Sequence, residues 1–195
     1  MRIAVFASGN GSNFTAIADA IREEELKGAT LALLFSDNPA AFVLERAKDA
    51  GVATLQLSPQ KFPSKAAFEA ALLNELAEHS IELIVLAGYM RIVGPTLLAA
   101  FPNRIINLHP SLLPSFSGKS GIADAFHYGV KVTGITIHYV DSGIDTGPII
   151  AQEVVRIESE DTLESLEAKI HHLEHRVYPA AVSYTHLTLP TNSRV

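Results

Sequence analysis

Short, almost wholly apolar runs alternate with longer helix-like stretches along most of this 195-residue chain, and few folds accept that pattern. The runs Arg2–Ala7, Thr30–Ser36, Val52–Leu57, Ile81–Ala87 and Arg104–Leu108 lack the polar alternation of a strand with one wet face. They read as strands buried on both sides. Helical segments fall between them, at about Asn13–Lys27, Ala40–Ala50, Ser64–His79 and Pro95–Phe101. The third is the clearest: Phe68, Leu72, Leu73 and Leu76 share one face, with Lys65, Glu69, Glu75 and Glu78 off it. Such a β-α-β-α series implies a doubly wound α/β fold, a mostly parallel sheet with right-handed crossovers. Lys131–Val140 and Ile149–Ile157 then read as an antiparallel strand pair joined by the turn-rich loop Asp141–Pro148. A last helix is expected from about Glu160 to Ser183.

Ten Pro and 12 Gly are spread along the chain rather than clustered, so we expect one domain over 1–183. The net charge of −6 argues against a general nucleic-acid or anionic-membrane surface. Without cysteine, neither a disulfide framework nor a thiolate metal site can form. The apolar N-terminal run is too short for a signal peptide and leads straight into a Gly-rich turn. No apolar run approaches the ~20 residues that span a bilayer. We expect a cytoplasmic protein acting on small molecules, monomeric or homodimeric, with no nucleic-acid or membrane partner.

Doubly wound sheets bind ligands beyond the carboxyl ends of their strands, beside the reversal in strand order. Three unusual loops sit at such ends. The first, Ser8-Gly9-Asn10-Gly11-Ser12-Asn13, opens a helix, where free amides and the helix dipole favour an anion. It lacks the third glycine of the dinucleotide fingerprint and the Gly-Lys-Ser/Thr of a P-loop, and a plain capped turn is the competing reading. The second loop is Gly88–Gly94. The third, Asn107–Gly118, begins Asn107-Leu108-His109-Pro110, with Asn107 and His109 on one strand face because the side-chain period is two. An amide donor beside an imidazole can polarise a carbonyl and stabilise its oxyanion, although for an isolated Asn-x-His a histidine satisfied by a backbone carbonyl beside a capping asparagine is the commoner reading. Asp145, in Gly143-Ile144-Asp145-Thr146-Gly147-Pro148, can relay a proton through water, or simply build its own turn.

In order and spacing these pieces resemble the phosphoribosylglycinamide formyltransferase family of folate-dependent enzymes. The resemblance rests on Ser8–Asn13, Leu86-Ala87-Gly88-Tyr89-Met90-Arg91, Asn107–Pro114 and Gly143–Pro148, and extends to Glu174-His175 with Tyr178-Pro179. It implies a Rossmann-like formyltransferase fold. It also implies transfer of the formyl group of 10-formyltetrahydrofolate, as co-substrate, to the amine of glycinamide ribonucleotide in purine synthesis. Asn107, His109 and Asp145 then match the catalytic trio. Asn10, Gly11, Ser12 and Asn13 match the substrate-phosphate loop, with Glu174 near the ribose. Lys65, Met90, Arg91, Ile92, Val93, Val140, Asp141 and Ile144 match the folate pocket, and no metal is required.

Two departures stand out. Ser117 occupies a position where the family often has proline, and Tyr184–Val195 reads as a foreign tail where the family continues with a tryptophan and a further segment. A metal reading of His171, His172 and His175 fails for want of a glutamate at 172 and a third ligand. His138 reads as a core-edge histidine. The alternatives are a formyltetrahydrofolate deformylase, which gives the formyl group to water, and a noncatalytic nucleotide-binding module. A methionyl-tRNA formyltransferase would need a basic surface and a further domain.

Overall fold

β1 (Arg2–Phe6), β2 (Thr30–Ser36), β3 (Thr54–Gln56), β4 (Leu83–Leu86), β5 (Ile105–His109), β6 (Val132–Tyr139) and β7 (Ile149–Arg156) form one sheet. Its order is β3-β2-β1-β4-β5-β6-β7 in a computed structural model that describes residues 1–188, with side chains through Thr185. Neighbours from β3 through β5 run parallel, and β6 and β7 close the edge antiparallel. The chain travels outward from β1 to β3, then crosses to β4 on the other side of β1. Strand order therefore reverses between β1 and β4, and a crevice opens beyond their carboxyl ends.

Helices cover both faces. α1 (Ser12–Arg22), α2 (Val43–Asp49) and α6 (Leu163–Thr188) lie on one side, where Phe14, Ile17, Val43, Ala47, Tyr178 and Val182 are buried. α3 (Lys65–Glu78) and α4 (Pro95–Ala100) lie on the other, burying Phe68, Leu72, Leu76 and Leu97. β1 explains why its run is continuously apolar. Ile3, Val5 and Ala7 feed the first core, while Ala4 and Phe6 feed the second. Full burial of a large apolar side chain contributes about 1.5–3 kcal/mol, so a polar residue at either parity is costly. Ile135 on β6 joins Leu166, Ile170 and Leu173 of α6 in a third cluster that fastens the antiparallel edge.

Three expectations need correction. Glu69 is not on a wet face: it is 2% exposed, and its carboxylate accepts from Gly94 N at 2.6 Å and Leu97 N at 3.3 Å, capping α4. Helix α5 (Gly121–Tyr128) is an additional element. The Ser117-Gly118-Lys119-Ser120-Gly121 turn residues conceal its start, although Ile122 and Phe126 have helical spacing and pack beside the third cluster. α6 continues past Ser183 to Thr188, with Thr185 buried and its hydroxyl donating to Ala181 O at 2.8 Å. The tail expected from Tyr184 therefore starts as helix, and 189–195 lie outside the described residues.

Tyr178 ties α6 to the sheet. Its side chain is fully buried, burial holds its phenol well above the usual range, and its hydroxyl donates to Leu86 O at 2.7 Å. Tyr178→Phe should lower stability by about 1 kcal/mol through the lost hydrogen bond, read as a lower denaturant midpoint at unchanged m-value.

Candidate active site

A cleft of about 550 Å³ opens at the strand-order reversal. Its walls come from the loops after β1, β4 and β5, the β6–β7 connection, and His171 and Glu174 of α6. All of the expected site residues line it except Lys65. Lys65 begins α3, held by the Ser64 cap that accepts from Ala67 N at 3.1 Å, so its stem runs against Gly94 at the side of the β4 loop.

At the β1 end, α1 starts at Ser12 with Gly11 as a left-handed cap that offers no side-chain acceptor. The first amides of a helix have no intrahelical partner and attract an anion. Arg46 of α2 braces this loop from behind, its Nε donating to Asn10 O at 2.9 Å and its Nη2 to Asn10 Oδ1 at 3.0 Å. Asn13 Nδ2 donates to Glu174 Oε2 at 2.9 Å, leaving Asn13 Oδ1 buried without a partner. His171 Nδ1 lies 3.0 Å from the same Glu174 oxygen. The hydrogen bond to Glu174 raises the His171 pKa above its ordinary 6.5, outweighing partial burial, with the charges of Glu174 and Glu167 adding to it. His171, weighed from sequence only as a metal ligand, lines this cleft instead.

The β5 wall carries the reactive groups. Asn107 and His109 share a face, and across the antiparallel ladder they meet His138 and Thr136. His138 Nδ1 donates to Tyr139 O at 2.8 Å, so its Nε2 is free to accept from Asn107 Nδ2 at 3.3 Å. One Asn107 N–H is thereby fixed, and the amide retains a second. His138, 2% exposed at the edge of the core, thus also lines the cleft. A β6 position opposite Asn107 was the signal, but register between strands 31 residues apart is invisible locally.

His109 is 4% exposed, and its Nε2 donates to Phe116 O at 2.8 Å. Its Nδ1 lies 3.5 Å from Asp145 Oδ2, while Asp145 Oδ1 lies 3.7 Å from His138 Nε2. Gly118 N also donates to Asp145 Oδ2 at 2.9 Å. Asp145 takes a left-handed conformation, φ 55°, which aspartate tolerates better than most residues. The turn around it is built by Asp141, whose Oδ1 accepts from Gly143 N at 3.0 Å and Thr146 Oγ1 at 2.7 Å. A Cβ on Gly147 would overlap Tyr139 O, so only glycine lets the turn close. With an imidazolium, both ring nitrogens have an acceptor, and the positive charge faces a carboxylate beside a spare amide N–H.

Beside the β4 loop and the β6–β7 connection Met90, Ile92 and Ile144 are 70%, 60% and 59% exposed, an apolar rim facing open cleft. Apolar side chains left uncovered around a concave site suit a flat heteroaromatic ligand. Val93, Val140 and Asp141 continue this wall, with Arg91 at its edge.

The fold and site define a group-transfer enzyme, and the chain belongs to the formyl transferase family, whose model matches residues 1–182. It is 52% identical over 181 residues to the phosphoribosylglycinamide formyltransferase of Bacillus subtilis, covering 93% of this chain and 92% of that protein. It is 38% identical over 184 residues to the phosphoribosylglycinamide formyltransferase of Escherichia coli, covering 94% and 86%. The crystal structure of phosphoribosylglycinamide formyltransferase from Bacillus halodurans superposes with a TM-score of 0.93 at 51% identity, covering 99% of this chain and 98% of that one.

Proposed function

We propose that this chain transfers a formyl group from 10-formyltetrahydrofolate to the amine of glycinamide ribonucleotide. The observation that carries the reading is the meeting of Asn107, His109 and Asp145 on one wall of a cleft whose other end is an uncapped helix N-terminus. Similarity at 52% identity to a phosphoribosylglycinamide formyltransferase supports it. In this reading Gly11, Ser12 and Asn13 hold the substrate phosphate, and Glu174 holds the ribose. The apolar rim and the backbone around Val140–Asp145 hold the folate, which supplies an activated formyl carbon.

The second N–H of Asn107 donates to the formyl oxygen as the amine attacks, and the His109 imidazole beside it stabilises the oxyanion. Asp145 accepts the amine proton through one water and returns it toward N10 as the old C–N bond breaks and the new one remains. Holding both substrates in one cleft supplies much of the rate through proximity. No step calls on a metal. The test is folate product formation with and without glycinamide ribonucleotide. Turnover that ignores the ribonucleotide would make the protein a deformylase, and ligand binding without turnover would make it a binding module. The same reading keeps 184–195 as a tail foreign to the domain. The family match over residues 1–182 supports it, while the burial of Thr185 weighs against an idle tail.

His171 gives phosphate binding a pH dependence of definite sign. Its pKa is raised, so its charge persists above 6.5 and is lost as pH rises through the folded value. The stability it contributes follows the same course, complete below 6.5 and gone above the raised value. A phosphomonoester, with a second pKa of about 6, is already mostly dianionic from neutral pH upward. From neutral pH into the mildly alkaline range, calorimetry should therefore show weakening ribonucleotide affinity in the natural protein and a flat profile in His171→Gln. Parallel profiles would remove His171 from the phosphate site.

A further inference from the structure

Asp37 follows β2 and does not line the cleft, yet two of the cleft's loops meet at its carboxylate. Ser8, the first residue of the phosphate loop, donates its hydroxyl to Asp37 Oδ1 at 2.6 Å. Arg91, in the donor loop after β4, donates Nε to Asp37 Oδ2 at 2.5 Å. The same Ser8 hydroxyl accepts from Met90 N at 3.1 Å, and Ser8 N donates to Gly88 O at 3.1 Å. Neighbouring Asn38 adds a bond from Nδ2 to Ser8 O at 3.2 Å. The Asp37 side chain is only 9% exposed, so solvent screens this node weakly, whereas Arg91 is 46% exposed and held mainly by this contact.

We propose that Asp37 is a positioning residue that locks the phosphate loop and the donor loop to each other, so that a ligand ordering one loop pre-orders the other. The assignment of ligands to the two loops rests on the function proposed above; the mechanical link rests on the geometry alone. Ordering shared between two sites is reciprocal: whatever factor the donor gains from bound ribonucleotide, the ribonucleotide gains from bound donor. Ser8 is the hinge of the link, because one hydroxyl both donates to the carboxylate and accepts from the opposite loop.

The deciding experiment is amide hydrogen exchange on the unliganded full chain, comparing the natural protein with Asp37→Asn, Arg91→Gln and the double variant. Asparagine keeps the shape but has one acceptor oxygen where two are needed, and Arg91→Gln cuts the link from its far end. We expect 8–13 and 88–94 to exchange about tenfold faster together in each single variant. The double variant should be no faster than Asp37→Asn, and β1 and β4 should be unchanged. Should Asp37→Asn fail to fold, Arg91→Gln alone decides between the same outcomes. Faster exchange in only one loop overturns the proposal, and so does a uniform increase through the sheet, which is what a merely structural carboxylate gives. In turnover, Asp37→Asn should raise both KM values about three- to tenfold with kcat held within about threefold, and should erase mutual tightening of the two ligands. A fall in kcat at unchanged KM overturns it. Absence of any formyl product from the natural protein would sink the proposed function but leave the exchange result to judge Asp37.

Discussion

His109→Ala should cut turnover by about two to four orders of magnitude while moving either KM by less than about threefold. The ring's contacts explain this split. His109 is 4% exposed at the end of β5, so little of it is available to ground-state ligands. What it offers is an imidazole placed 3.5 Å from Asp145 and beside the Asn107 amide, where negative charge accumulates as a carbonyl is attacked. Interactions that strengthen only in the transition state appear in kcat. The substitution also removes the Nε2 bond to Phe116 O at 2.8 Å, although that carbonyl keeps the Ser111 hydroxyl at 3.2 Å, so stability should fall by about 1 kcal/mol. Rates must therefore be compared well below the variant's melting temperature. A loss below tenfold in folded protein would mean that Asn107 and proximity carry the reaction without the imidazole.

Gly11→Val should reduce ribonucleotide binding by at least about two orders of magnitude and also lower stability by about 3 kcal/mol. Gly11 has φ +82°, a conformation that L residues resist, and its Cβ would overlap the Val43 side chain at the start of α2. Val43 N in turn donates to Gly9 O at 3.1 Å, so loop and helix cannot separate freely. The same tight approach that aims the loop amides at the cleft makes the position structural. From sequence, Gly11→Val is expected to spare folate binding; the packing on α2 adds a loss of fold stability to that expectation. A second substitution separates the two effects. Val43→Gly on the Gly11→Val background, which removes both the Cγ2 and the Cβ that would overlap, should recover part of the stability but not the affinity, since the strained φ still displaces the amides. Ligand titrations and thermal melts on the three variants check this. Equal weakening of donor and ribonucleotide in folded protein would make the loop structural only.

Features set by neighbours in the chain were legible in advance. The double-sided burial of β1 was readable because every residue from Ile3 to Ala7 is apolar, and 2-fold side-chain alternation sends them to two cores. The helix at about Ser64–His79 and the common face of Asn107 and His109 have the same local origin. So does the Gly11 turn, whose left-handed φ only glycine adopts without strain.

Tertiary structure decided everything that depends on which distant segments meet. His138 reaches Asn107 through strand register, and Glu174, with His171 on the same carboxylate, reaches Asn13 because α6 crosses beside α1. Glu69 has the periodicity of a solvated residue, yet the bare amides of α4 draw it into the interior. Asp37 reads as an ordinary turn aspartate until Ser8 and Arg91 arrive from 29 and 54 residues away. The physical reason is common to all of them. A side chain's periodicity reports only its own helix or strand, whereas the partner of a polar group is chosen by whichever unsatisfied donor or acceptor the packed sheet brings within 3 Å.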